Sequence, residues 1–293
     1  MRKIHIFILI LICTLSSVSF ADTQSPDKHR IMTFNIRYGS ARDNVNSWIF
    51  RKGLALTVIR DFNPDIIGTQ EAHNNQLDFL LDKFPHYDSF GAGRINQQPA
   101  EDNWILFRKD KYKLIDSGIF WLSETPDFKS KSWDSSLDRN CTWVMLECRN
   151  TGESFYVYNM HFDHTGKIAH EESAKLVLEF IEQKGNSDLK ADYDGFQMRP
   201  YPVILMGDMN AGEDSKAIQQ LKSSLNDTFR IVNPSATKVG TFNSFKGKTN
   251  GAKIDYIFTD ERFEVLEAEI IRYHRGFIYP SDHFPVVAVV GLK

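Results

Sequence analysis

The stretch YPVILMGDMN (residues 201–210) runs as an apolar strand and stops abruptly on a Gly, an Asp and an Asn. These three are ordinary turn formers, so the segment read alone is a strand that ends in a turn. Polar side chains at a strand end are also how a rigid sheet presents chemistry at its edge. The pattern recurs along the chain. Asn35 closes MTFN, Glu71 follows IIGTQ, and His161, Asp163 and His164 end YVYNMHFDH. Asp255 stands within KIDYIF, and Asp282 and His283 precede the last apolar run. Each has a plain explanation on its own, as a strand-end amide, a cap or a solvated loop residue. Six strand ends that are polar together argue for one site, and a carboxylate within IDYIF needs a partner to be buried.

Working outward, RIMTFNIR (30–37) and DIIGTQEA (65–72) read as strands. Between them SWIFRKGLALTVIRDF (47–62) reads as a helix, with Asn46 or Ser47 as cap and Pro64 beyond its end. NNQLDFLLDKF (74–84) is a short amphipathic helix. Strand-like runs follow in NWILFRK, YKLIDSGIFWL, CTWVMLECR and SFYVYNMHF, with helices near 169–183 and 214–225 and three closing strands. Strands that succeed one another through short loops favour antiparallel pairing, and two stacked sheets would bury one face of each. The expected fold is α/β, a four-layer sandwich of two mostly antiparallel sheets packed face to face with helices outside.

The 293 residues are 42% hydrophobic and 25% charged, enough for one large domain with a sizeable core. Arg2 and Lys3 precede an apolar run from Ile4 to Leu15, and small residues follow up to Ala21. That is the pattern of a secretory signal peptide, residues 1–21, cleaved near Ala21, and it leaves a single domain over residues 22–293. The run is too short for a comfortable membrane span. A retained anchor, or a lipid on Cys13, is the alternative. Cleavage would remove two positive charges and move the net charge from −3 to −5. A mildly acidic surface excludes broad electrostatic binding of nucleic acid and leaves room for a local basic cleft. Cys141 and Cys148 in CTWVMLEC would lie on opposite faces of one strand, about 23 Å apart. A disulfide needs Cα atoms within about 7 Å, so two free thiols are expected.

The polar set has a coherent chemistry. Glu71 and Asp282 are hard oxygen ligands suited to Mg²⁺ or Mn²⁺. The amides of Asn35 and Asn210 can orient a phosphate or a water. His161 and His283 can offset charge on a phosphorane-like transition state, and Asp208 can deprotonate an attacking water. Neither GxSxG nor a Cys/His pairing is present, and Walker A and GxGxxG are absent as well. Hydrolysis of a phosphate ester is the expected reaction.

The ordered motifs TFNIR, GTQEA, NMHFDH, GDMN, KIDYIF and SDHFP resemble those of the endonuclease/exonuclease/phosphatase superfamily. That superfamily includes pancreatic-type DNase, abasic-site endonucleases, neutral sphingomyelinases and deadenylases. The resemblance spans residues 30–288, and GIFWLSETPD with RNCTWVML is similar to an exported bacterial branch distantly akin to the deadenylases. It implies that Glu71 and Asp282 hold the cation, with Asn35 near both the metal and the scissile phosphate. It implies that Asp208 orients the water, Asn210 steadies the phosphate, and His161 and His283 touch its oxygens. Asp255 would buttress His283, and Glu101 would buttress His161. Arg139 and His164 are further candidates for substrate contact. Inositol 5-phosphatases usually carry a Trp-Cys/Thr-Asp-Arg motif near KIDYIF, and its absence argues against that substrate.

The sequence therefore points to an exported phosphodiesterase of nuclease type. A phosphomonoesterase, a sphingomyelinase-like lipid phosphodiesterase and a non-catalytic binding module are the alternatives. Nucleic acid is a candidate partner, and no obligate protein partner is evident.

Overall fold

The structure, a computed structural model, describes residues 27–91, 102–188 and 201–293. Twelve strands build two sheets of six. The first sheet takes β1 (Lys28–Asn35), β2 (Ile66–Ala72), β3 (Tyr87–Gly91), β4 (Asp102–Arg108), β11 (Phe263–Ile270) and β12 (Val286–Leu292). Its order is β11-β12-β1-β2-β4-β3. The second takes β5 (Tyr112–Trp121), β6 (Asn140–Cys148), β7 (Ser154–His161), β8 (Val203–Asp208), β9 (Asn226–Asp227) and β10 (Asp255–Thr259). Its order is β5-β6-β7-β8-β10-β9. Each sheet contains one parallel pair, β1 with β2 and β7 with β8, and its other pairings are antiparallel.

Strand alternation sorts the core into three slabs. Ile31, Ile66, Ile105, Val144, Val157, Ile204, Ile257 and Val286 fill the space between the sheets. Their neighbours Met32, Phe34, Ile67 and Leu106 face outward against α1 (Trp48–Phe62) and α2 (Asn74–Lys83). On the far side Tyr156, Tyr158 and Leu205 pack against α3 (Lys167–Asp188) and α4 (Lys216–Lys222). The four-layer sandwich is thus as expected. The sequence reading passed over β3, β9 and the single-turn helix α5 (Thr228–Val232), which carry too few residues for a periodic signal. Cys141 and Cys148 are free and buried. Among the described residues no helix is long and apolar enough to cross a membrane.

A seam of polar side chains joins the sheets just below the site. Asn159 of β7 donates to the carbonyls of Thr69 and Trp104, both at 2.9 Å, and accepts from Gln70 Nε2 at 2.6 Å. Buried amide hydrogen bonds of this kind fix the relative register of two sheets that apolar contacts alone would let slide.

Candidate active site

The two parallel pairs end at the same edge of the sandwich, and there the polar strand ends meet. Asn35 is the last residue of β1, His161 of β7 and Asp208 of β8. Asp255 opens β10 opposite Asp208, and Asp282 and His283 lie just before β12. Glu71 is aimed by an irregularity in β2, where the register with β4 shifts between Thr69 and Ala72 and Glu71 takes φ +59°. Arg37 and Asn210 also hold positive φ, +56° and +47°. Three non-glycine residues in a sparsely populated region, gathered at one site, are backbone strain that the surrounding fold maintains.

Asp208 is the centre. Its Oδ2 accepts from Asn35 Nδ2 at 3.0 Å and lies 3.5 Å from His161 Nε2 and 3.6 Å from His283 Nε2. Its Oδ1 accepts from the Asn210 amide at 2.9 Å. Burial, together with the nearby Asp255 charge, pushes the Asp208 carboxyl up to about 7. The Asn210 side chain is anchored through Nδ2 to the Phe162 carbonyl at 3.0 Å.

The two histidines are held in opposite states. Burial alone would lower the His283 pKa, but Asp255 and Asp208 overcome it and hold the ring well above its ordinary range. Its Nδ1 meets Asp255 Oδ2 at 2.9 Å, so Nδ1 donates and Nε2 faces Asp208. His161 is driven well below its ordinary range by burial and by the Arg139 charge. Arg139 Nη1 lies 3.0 Å from His161 Nδ1. A guanidinium can only donate, so Nδ1 accepts and the neutral ring carries its proton on Nε2, toward Asp208. Arg139 therefore buttresses His161 in this structure. Glu101, expected in that place, lies outside the described residues. Arg139→Met is expected to cut kcat/KM by about 10- to 100-fold. The ¹⁵N shifts of His161 should then show the loss of the Nε2-protonated tautomer; an unchanged tautomer would remove Arg139 from this part.

Asp163 pins the loop that carries Arg139. Burial would raise its carboxyl, but hydrogen bonds from Ser136, Leu137, Thr165 and Gly166 pull it far below the usual range. His164 does not join the cluster. It is exposed, and its ring lies 3.3 Å from the Ser136 hydroxyl. Phe242, 45% exposed, stands edge-on to the His283 ring at 5.1 Å and forms a wall beside the site.

A second acidic group, Glu71 with the buried Asp282, lies beside it. Asn35 Nδ2 donates to Glu71 Oε1 at 3.1 Å, and the Ser281 hydroxyl lies 3.1 Å from Asp282 Oδ1. Glu71 Oε2, which accepts from the Tyr38 backbone amide at 3.3 Å, and Asp282 Oδ2 both face one cation, Arg37, whose guanidinium atoms lie 3.7 Å from each. An all-oxygen donor set that already draws a positive group between its carboxylates suits a hard divalent cation. Asp208, Asp255 and His283 also bring ligand atoms within 4.8 Å of one another. There Asp255 and His283 are already hydrogen-bonded to each other.

Fold and site together define a hydrolase of phosphate esters. The chain matches the Endonuclease/Exonuclease/phosphatase family over residues 32–283 and belongs to it. An endonuclease/exonuclease/phosphatase family protein of Bacteroides thetaiotaomicron is 30% identical, with a TM-score of 0.80 over 92% of this chain and 100% of that one. A mannosyl-6-phosphatase of the same species is 31% identical, with a TM-score of 0.78 over 89% of this chain and 99% of that one. The CCR4-Not complex 3'-5'-exoribonuclease subunit Ccr4 of Neosartorya fischeri is 24% identical over 95% of this chain, which spans 49% of that protein's length. The distant kinship with the deadenylases is therefore as the motifs implied.

The sequence reading assigned no role to Arg37, Asp43, Arg51 or Ser281. Arg37 stands inside the quoted motif TFNIR, but its reach depends on a left-handed backbone that spacing does not reveal. Arg51, buried in α1, donates to the carbonyls of Ile36, Arg37, Asn46 and Pro280 and ties the two loops that carry Arg37 and Asp282. A lone arginine on a helix gives no such signal.

Proposed function

We propose that the chain is an exported, divalent-cation-dependent phosphoesterase in which water attacks phosphorus in line. The observation that carries this reading is the convergence of Asn35, His161 and His283, from both sheets, on one oxygen of Asp208. In this reading Asp208 takes the proton of the attacking water through Oδ2, and Asn35 fixes that oxygen in place. His283, kept protonated by Asp255, and the Nε2–H of His161 donate to oxygens of the phosphoryl group as negative charge develops. Asn210 steadies the phosphate from the other side of Asp208. Glu71, Asp282 and Asn35 would hold Mg²⁺ or Mn²⁺, which when bound supplies Lewis-acid stabilisation of the phosphoryl oxygens.

A phosphodiester is the substrate class that the nuclease-like motif set favours. The likeness to a mannosyl-6-phosphatase along nearly the full chain supports the second reading, a sugar phosphomonoester. The deciding experiment is a hydrolysis panel with Mg²⁺ or Mn²⁺ and with chelator. It contains bis-p-nitrophenyl phosphate, DNA, RNA, sphingomyelin and hexose 6-phosphates. Turnover that chelation abolishes is expected, and the best substrate assigns the class. Turnover indifferent to chelator would end the metal-dependent reading. Export is tested separately by sequencing the mature N-terminus, expected just after Ala21.

A further inference from the structure

Arg37 is held with unusual care for a side chain that is partly exposed. Its backbone sits at φ +56°, a conformation that a residue with a Cβ rarely adopts. Three bonds keep it there. Its carbonyl accepts from Arg51 Nη2 at 2.8 Å and from Gln76 Nε2 at 3.0 Å, and its amide donates to Asn35 Oδ1 at 3.0 Å. Arg51 is buried and Gln76 is buried, so this clamp is part of the core.

The clamp fixes where the guanidinium goes. Its close contacts are with Asp43, from Nε at 3.2 Å and Nη2 at 3.3 Å, and it rests over the Tyr38 ring at 4.5 Å. Toward Glu71 and Asp282 it keeps 3.7 Å, beyond hydrogen-bond length. Its hydrogen bonds are thus given to Asp43, while its charge is shared with the two carboxylates. Contacts of that kind attract without locking and are relinquished at little cost. A divalent cation entering between Glu71 and Asp282 would meet a positive group already facing both of them, and Asp43 is what holds that group back.

We propose that Arg37 and Asp43 form a tethered charge pair that sets the divalent-cation affinity of the Glu71–Asp282 site. Arg37 stands in for the cation in the metal-free protein and withdraws onto Asp43 when the metal binds. This rests on the assignment of Glu71 and Asp282 as the cation site under the proposed function.

The test is calorimetric titration of the purified protein with Mn²⁺, which requires no substrate. Arg37→Met removes the competing charge and should tighten the dissociation constant by about three- to tenfold, the effect of one partly exposed charge on a neighbouring site. Asp43→Asn releases Arg37 toward the carboxylates and should weaken binding by about two- to fivefold. Opposite signs are the signature, because a purely structural part for the pair would impair both variants alike. Unchanged affinity in Arg37→Met, or tighter binding in Asp43→Asn, overturns the proposal while leaving the cation site standing. Failure of the wild-type protein to bind Mn²⁺ overturns the cation site, and this proposal with it.

Discussion

Asp208→Asn is expected to lower turnover by about 10³- to 10⁴-fold while the folded structure persists, since a general base and the charge facing the protonated His283 are lost together. Asn keeps the size of the side chain, and circular dichroism and the unfolding midpoint should stay near wild type. The pH profile carries a second, independent reading. Asp208 must be unprotonated to take a proton from water, and its pKa is raised to about 7. The ascending limb of kcat/KM should therefore lie near pH 7, above the ordinary carboxylate range near about 4. Below that limb the rate should fall about tenfold per pH unit, and the Asn variant should lose the limb altogether. A variant that retained wild-type turnover, or that kept the wild-type ascending limb, would remove Asp208 from the centre of the mechanism.

Gly207→Ala is expected to cost at least about 3 kcal/mol, seen as a shifted urea midpoint, because it combines overpacking with a disfavoured backbone. Gly207 has φ +149°, and a Cβ there would lie 2.0 Å from the Met160 carbonyl oxygen of β7. Met160 belongs to a central strand paired on both sides, so it cannot give way. Gly152→Ala is the control, with φ +75° and nothing within 4 Å of the added carbon, and should cost about 1 kcal/mol. The difference between the two reports the contact together with the more extreme dihedral angle of Gly207. The close approach at Gly207 is to the neighbouring strand.

Much of the architecture was legible because its signals are local. Ile31 and Met32, or Val157 and Tyr158, alternate between slabs as strand periodicity requires, and the apolar faces of the helices follow from their spacing. The site residues were legible because polar groups at the ends of apolar strands have few other reasons to recur. What escaped was set by contacts between segments far apart in sequence. That Arg139 supports His161 depends on a loop pinned by Asp163, across a gap that spacing does not measure. His161 and His164 looked equivalent in HFDH. Only the end of β7 decides that the first faces the site and the second leaves toward solvent.

The two sheets are drawn from the chain unequally. The strands β5 to β10 are consecutive and form one sheet, whereas the other joins β1 through β4 to β11 and β12 across that whole insertion. The order of synthesis therefore matters. A nascent chain can complete the middle sheet early, but β1 must wait for β12, its antiparallel neighbour, until all the strands of the middle sheet have been translated. Asp282 and His283 arrive in the same late segment. A chain interrupted before that segment would carry Asp208 and His161 and still have no complete site, so its hydrolytic chemistry is withheld until the segment has been made.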